Sequence, residues 1–437
     1  MGRAGTRRDE ANGGARRIVV ATFGTLGDLY PALALALGLR ARGHCVTVAT
    51  SDFHREQVEG FGLAWASVRP QLPDWRSHPD AMARLMDPRR GTERVVRELV
   101  LPHLGEQYDD LLRVAAGADM VVSSLLVFSA RLVAERLAIP WVSMTFQPSA
   151  FLSVFDPPVL GQVPGLGLVR MVGPHGARAV LRAARKVTNG WTEPWHDLRR
   201  EIGLPPMAIN PFWEGQHSPL LTLALFSPLL GRPQIDWPPS TVVTGFPFDD
   251  RIAWSPMSDD LEAFLVAGEP PIAFTLGSSA AMSAGDFYEE SVEAARRLGR
   301  RAVLLVGPDP RNRVRELSSD GFSAVYAPHG QLFPRCAAVV HQGGIGTTGQ
   351  AMRSGRPMLV VPFAHDQPDN ANRVRRLGVA KVIPGRRYSA GRAERALADL
   401  LADPAVAERA VAVGAAVRTE RGVERAVEAV EAAACGR

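Results

Sequence analysis

Only three cysteines occur in 437 residues, Cys45, Cys336 and Cys435, and they lie far apart. An odd, scattered set argues against a disulfide framework and a cysteine zinc site, so a reducing cytoplasm is the expected location. No run of about 18 apolar residues exists, which argues against a membrane-spanning helix. The N-terminal stretch MGRAGTRRDEANGGARR has no apolar centre; it does not read as a secretory signal, and 1–15 reads as a disordered tail. Neither sign of charge dominates, since 50 basic and 45 acidic residues leave +5. That excess suits a small anionic ligand or a weak leaning toward acidic membranes, and does not call for nucleic acid. In the Arg-rich C-terminal stretch Glu420, Glu424 and Glu428 are interspersed, as on a solvated helix face. H-E-x-x-H, G-x-S-x-G and the lysine of a Walker loop are missing too. His103, His196 and His217 lack metal-ligand spacing, and no metal is expected.

What is present is a series of short apolar runs separated by helical patterns. RRIVVATFG (16–24), CVTVAT (45–50), LAWASV (63–68), DMVVSSL (119–125), WVSMTF (141–146) and LTLALFS (221–227) read as buried strands. A helix is expected from about Pro31 to Arg42. SPLLGRPQIDWPPS (227–240) has four prolines and little periodicity, and reads as a linker. A second series then runs from TVVTG (241–245) through PIAFTLG, RAVLLVG, FSAVYA, AAVVHQ and PMLVVP to AKVIP (380–384). Strands alternating with helices imply parallel sheets. The expected fold is α/β: two doubly wound, Rossmann-like domains facing across a cleft. The N-terminal one spans 16–226 and the C-terminal one 241–402. Helices at 403–437 would follow, with the option of packing back on the first domain. Ligands of such sheets lie beyond the carboxyl ends of the strands, so one ligand per domain is expected.

Four stretches carry chemistry. VVHQGGIGTTGQ (339–350) contains Gly344, Gly346 and Gly349 as G-x-G-x-x-G, the outline of a dinucleotide fingerprint. A strand, glycines and then a helix form a phosphate site, with Thr347 and Thr348 as hydroxyl donors and His341 as a ring N–H donor. A dinucleotide fingerprint, however, opens its domain, and here four strands of the second series come first. In PFAHDQPDNAN (362–372) Asp366 and Gln367 stand side by side, a pairing able to grip vicinal sugar hydroxyls. Asp366 could equally cap a helix. TLGSSA (275–280) offers a second phosphate-compatible turn at Ser278. In GTLGDLYP (24–31) Asp28 lies in the first strand-to-helix turn, placed for a general base or for an N-cap.

These pieces, in this order, resemble the nucleotide-sugar glycosyltransferases of the UDP-glucuronosyl/glucosyltransferase superfamily (glycosyltransferase family 1), which have the GT-B fold. The likeness is to the microbial branch of sterol glucosyltransferases, rhamnosyltransferases and antibiotic glycosyltransferases. It rests on GTLGDLYPALALA, QPSAFLSVFDPPVLG, TGFPFDD, FTLGSSA, APHGQLFPRCAAVVHQGGIGTTGQAMRSGRP and PFAHDQPDNANRV, spread over nearly the whole chain from residue 17. The resemblance implies that His341 binds the donor diphosphate with Gly344, Gly346, Thr347 and Ser278. It implies sugar contacts for Asp366 and Gln367, base stacking for Tyr326, and Asp28 as the base where many members use histidine. Members strict for uridine often carry a ribose-binding Glu where this chain has Gly349, which leaves UDP and dTDP both open. Histidine-using members add an Asp near 120–125, where Ser123 and Ser124 stand here.

The implied activity is inverting transfer of a hexose or deoxyhexose from UDP- or dTDP-sugar to a hydroxyl of a natural product, lipid or sterol, with no cofactor beyond the donor. Phe146, Gln147 and Phe151 are candidate acceptor-lining residues. A lipid acceptor would bring peripheral membrane contact. The competing readings are an NAD-type oxidoreductase using Gly344, Gly346 and Gly349, and a non-catalytic sugar-nucleotide-binding relative.

Overall fold

The computed structural model describes residues 14–72, 79–161, 173–252 and 256–435. Nearly all of the expected tail 1–15 lies outside these residues. Two parallel sheets organise the chain. The first contains β1 (Arg17–Ala21), β2 (Cys45–Thr50), β3 (Ala64–Ser67), β4 (Met120–Ser124), β5 (Trp141–Thr145), β6 (Leu221–Ala224) and β7 (Thr241–Val243), in the order β3-β2-β1-β4-β5-β6-β7. The second contains β8 (Ile272–Thr275), β9 (Ala302–Leu305), β10 (Gly321–Ala324), β11 (Ala338–His341), β12 (Met358–Val360) and β13 (Ala380–Val382), in the order β10-β9-β8-β11-β12-β13.

Each strand order reverses once, between β1 and β4 and between β8 and β11. At such a switch point the neighbouring crossovers leave in opposite directions and open a crevice above the strand ends. Asp28 follows β1, Ser278 follows β8 and His341 ends β11, so the switch points carry the expected site residues. The strands read as continuous apolar runs because helices cover both faces. In β1, Ile18 and Val20 join one core cluster while Val19 and Ala21 join another.

Two sequence expectations need correction. Thr241–Val243 does not open the second domain; it pairs in parallel with β6 and closes the first sheet. Three strands, not four, therefore precede β11 in its sheet. The segment 227–240 is accordingly a β6-to-β7 connection inside the first domain. Its Leu230 and Trp237 are buried in the core, which a solvated linker would not allow.

The first helix spans Leu26–Ala41, beginning five residues before the expected Pro31. Thr25 is its N-cap, and the Asp28 carboxylate reaches back to the Thr25 N–H at 2.9 Å. This reciprocal cap satisfies one of the orphan donors and starts the helix early, leaving Pro31 in the second turn. The helix is apolar all round because it is sandwiched. Its outer side meets the last helix, Gly422–Ala434, where Gly38 leaves room for Val423 and Val427. Glu431 of that helix pairs with Arg42 at 2.9 Å.

Candidate active site

Asp28 is half-buried at the first switch point. Gly24 makes this turn possible: its φ is +138°, and a Cβ there would fall 2.1 Å from Asp28 Oδ2. His54 Nε2 holds the Gly24 carbonyl at 3.0 Å. Oδ2 is committed to the cap, whereas Oδ1 accepts no hydrogen bond from another residue among the described residues. Burial, and then the charge of Asp366 across the cleft, raise the Asp28 pKa to about 7, against the pull of the Thr25 N–H. The serines of β4 turn elsewhere. Ser123 accepts from Trp141 Nε1 at 2.8 Å, and Ser124 meets Thr22 Oγ1 at 3.2 Å. Asp28 therefore receives no partner from that strand.

The opposite wall is built by β11 and β12. His341 is fully buried, and its Nδ1 accepts the Gly343 N–H at 3.1 Å. Burial, with His329 nearby, lowers its pKa to about 3, so the ring is neutral with its proton on Nε2. That N–H is buried without a protein partner among the described residues. Unpaired buried donors are rare, and this one lies beside a helix N-terminus. The helix Ile345–Ser354 has Gly344 as its N-cap, and a Cβ on Gly346 would meet nothing within 4 Å. Gly343 was not singled out from sequence, yet it is the strained glycine of the loop. Its φ is +89°, and a Cβ would come 3.0 Å from the Gln367 carbonyl oxygen. The Gly-Gly doublet was the available signal. β8 pairs with β11 so that Thr275 lies opposite His341. The turn after β8 therefore comes against the loop: Gln342 Nε2 is 2.3 Å from where a Gly277 Cβ would sit. Ser278, next in that turn, is exposed. Thr347 Oγ1 accepts from Gln342 Nε2 at 3.4 Å, leaving its own O–H free to donate.

Asp366 caps the helix Gln367–Arg376. Its Oδ2 accepts from Asn370 Nδ2 at 2.6 Å, and the same Nδ2 donates to the Gly343 carbonyl at 2.9 Å. Asn370 thus ties the Asp366 carboxylate, which makes no cap hydrogen bond of its own, to the phosphate loop, a role not assigned from sequence. Burial pushes Asp366 up to about 6, partly offset by Asn370 and the Ile345 N–H. Gln367 differs from expectation. Its Oε1 accepts from the Phe363 and Ala364 N–H groups at 2.8 and 3.2 Å, which leaves only the NH₂ for a ligand.

Tyr326 sits beyond β10, its ring 6.2 Å from that of His329. Tyr30, from the first domain, lies against it, and burial followed by this neighbour pushes the Tyr30 phenol pKa upward. Gly349 is buried with its Cβ direction aimed at the Phe246 ring, 2.8 Å away. An acidic side chain has no room there. Gln350 Oε1, one residue on, is buried and has no hydrogen-bond partner among the described residues.

The acceptor-lining candidates separate. Phe146 is buried in the core, and Gln147 caps the short 3₁₀ turn Pro148–Phe151. Phe151 stacks on Trp237 at 3.9 Å and on His217 at 5.1 Å, bordering a cavity of about 490 Å³ that no donor-side residue lines. Phe146 and Phe151 both belong to the main core cluster, and Phe151 also meets the Phe226 ring edge-on at 6.2 Å.

Comparison with known proteins places the chain in a family. Residues 18–155 match the glycosyltransferase family 28 N-terminal domain, and 291–430 match the erythromycin biosynthesis protein CIII-like C-terminal domain. The chain is 35% identical over 428 residues to O-mycaminosyltylonolide 6-deoxyallosyltransferase of Streptomyces fradiae, covering 95% of this chain and 97% of the relative. The chain belongs to the GT-B glycosyltransferases. Among solved structures it resembles the kitacinnamycin glycosyltransferase, with a TM-score of 0.71, 23% identity and coverage of 96% and 99%. It also resembles the glycosyltransferase VinC in complex with dTDP, with a TM-score of 0.69, 20% identity and coverage of 96% and 100%. As a GT-B glycosyltransferase the enzyme has no use for a dinucleotide fingerprint, and the oxidoreductase reading is set aside. Among the described residues no helix is long and apolar enough to cross a membrane.

Proposed function

We propose that this glycosyltransferase moves a deoxyhexose or hexose, with inversion, from a dTDP-sugar to a hydroxyl of a macrolide-type natural product. The observation that carries the proposal is the buried His341 Nε2–H, without a protein partner among the described residues and beside the N-terminus of the helix Ile345–Ser354, with Asp28 standing after β1 at the switch point of the other sheet. Asp28 is the base and Asp366 holds sugar hydroxyls, with the Gln367 NH₂ beside it. The acceptor oxygen attacks the anomeric carbon as Asp28 Oδ1 takes its proton. The new C–O bond forms on the face opposite the diphosphate, whose C–O bond breaks and keeps the electron pair. His341 Nε2–H, the loop N–H groups and the Thr347 and Ser278 hydroxyls meet the charge that develops. General-base help of this kind is worth roughly 10²–10⁴-fold.

Preference for dTDP rests on Gly349. With Phe246 filling the place of a ribose-binding acid, a 2′-hydroxyl would be buried without an ionic acceptor. An unpaired polar group costs about 1–3 kcal/mol, whereas a 2′-deoxyribose has none to pair. Tyr326 supplies the ring for the base. The dTDP in the VinC structure and the O-mycaminosyltylonolide named for the Streptomyces fradiae relative support the same choice. Three unpaired cysteines fit a cytoplasmic setting.

A thermal-shift and calorimetry panel of UDP, dTDP and their sugars tests the donor. dTDP is expected to bind about tenfold more tightly than UDP, and equal or reversed affinities would remove the Gly349 argument. Mass-spectrometric screening with dTDP-6-deoxyhexoses, starting from O-mycaminosyltylonolide, then tests transfer. Failure of every macrolide alongside transfer to sterols would overturn the acceptor class.

A further inference from the structure

Asp366, Asp369, Asn370 and Arg373 recur at i, i+3, i+4 and i+7, so they share one face of a helical stretch. Asp366 and Asn370 serve the phosphate and sugar side. The other two turn to the first domain. Arg373, 2% exposed, donates through Nε to Asp369 at 2.6 Å and through Nη1 to the Leu230 carbonyl at 2.7 Å and to the Asp156 carboxylate. Asp369 is fully buried, and its Oδ1 accepts the Val159 N–H at 2.9 Å. Arg376 reaches the second oxygen of Asp156 at 3.3 Å. Asp156 and Val159 belong to the segment that follows β5, where acceptor contacts are expected.

The other flank of Asp366 is gripped as well. His365 has a φ of +57°, a strained value for a residue with a side chain. Its Nδ1 lies 3.1 Å from Thr92 Oγ1, and its ring packs against Gly91, both in the first domain. Burying an ion cluster contributes little net stability, because desolvation offsets the attraction. Holding two domains in one register is the better-supported use of such a cluster.

We propose that Asp156 and Arg373 are positioning residues for transfer: through the helix Gln367–Arg376 they fix Asp366 opposite Asp28, so that the acceptor-side segment and the donor sugar are ordered together. This rests on the roles proposed above for Asp28 and Asp366. The diphosphate is held elsewhere, by His341 and its loop, so sugar placement and nucleotide binding should come apart when the cluster is broken.

Asp156→Asn is the mild variant, and Arg373→Met the severe one. Calorimetry with dTDP is expected to give affinities within about threefold of the wild type for Asp156→Asn. Transfer from dTDP-6-deoxyallose to O-mycaminosyltylonolide, or with whichever pair the screen selects, is expected to lose about 10–100-fold in kcat. The share of donor lost to water should rise severalfold. The acid limb of kcat/KM should move to lower pH, because Asp366 no longer presses on Asp28. Asp156→Glu should recover part of the rate. Unchanged kcat, water loss and acid limb in a folded Asp156→Asn enzyme would overturn the proposal. So would a loss of dTDP affinity in step with melting temperature, since that marks a merely structural cluster. If Arg373→Met does not fold, Arg376→Gln, which relaxes only the exposed side of the cluster, should show the same changes more weakly; an unmoved acid limb and water loss there count against the proposal. Normal transfer by an Asp28→Asn enzyme is the separate outcome that would instead remove the underlying reading.

Discussion

Asp28→Asn is expected to lower transfer by about 10²–10⁴-fold while leaving dTDP affinity within about twofold. The amide keeps the shape of the carboxylate, and its oxygen still accepts the Thr25 N–H that starts the first helix. What it loses is the ability to take a proton. The wild-type pH profile should carry the same signature. With the Asp28 pKa raised to about 7, the base is protonated at low pH, and kcat/KM should rise as pH climbs through that value. Stability should run the opposite way. A carboxyl whose folded pKa lies above its unfolded value does not weaken the fold when both states hold the proton. It weakens the fold as the unfolded state ionises from about pH 4 upward, and the full penalty is reached above pH 7. Removing the charge with Asn should therefore stabilise the protein at pH 8 by about 1–3 kcal/mol, and by little at pH 4. Calorimetric melting at the two pH values checks this. A less stable, fully active Asp28→Asn enzyme would remove Asp28 as both base and strained group.

Gly24 should show the same link between turn and chemistry. A Gly24→Ala Cβ would displace the Asp28 carboxylate outright. The expected result is loss of transfer with dTDP binding retained, measured by the same two assays.

Much of this site was legible along the chain because each wall is local in sequence. The strand, the glycines and the histidine of 339–350 fold as one unit, and so does the turn that carries Asp28. The apolar runs also gave nearly every strand. What could not be read are matters of partnership. Three residues, Thr241–Val243, have no local property that tells which sheet they join; β6 decides that. The prolines of 227–240 looked solvated, but Trp237 and Leu230 anchor that segment in the core. The Thr-x-x-Asp pattern of Thr25 and Asp28 stands in the sequence ahead of Pro31 and sets the earlier helix start. Asp156 and Arg373 lie 217 positions apart, and nothing in either neighbourhood announces the other. Gln367 beside Asp366 reads as a sugar ligand, yet its oxygen is already in use, because the Phe363 and Ala364 N–H groups of the loop donate to it.

His341→Ala should be the most damaging change on the donor side, and its two ring nitrogens predict two separable defects. Nδ1 holds the Gly343 N–H, and Nε2 presents a donor that has no protein partner among the described residues. Alanine removes both. The lost charge-assisted bond to the diphosphate costs about 1.5–3 kcal/mol in nucleotide affinity, roughly 10–150-fold. A further loss in kcat of about 10²-fold is expected, because the same donor faces the charge that grows on the leaving group. The unpaired Gly343 N–H should also lower the melting temperature. Asparagine and glutamine separate these effects. The His341→Asn substitution places an amide oxygen near the position of Nδ1, so it can keep the loop while losing the phosphate donor. His341→Gln extends an NH₂ toward the position of Nε2 and gives up the loop contact. His341→Asn should therefore melt close to the wild type with weak dTDP binding, whereas His341→Gln should bind better than it melts. Calorimetric dTDP affinity and melting temperature, measured side by side on the three variants, decide the matter. An unchanged affinity in His341→Asn would take His341 out of the donor site, because that variant keeps the loop and lacks only the N–H aimed at the diphosphate.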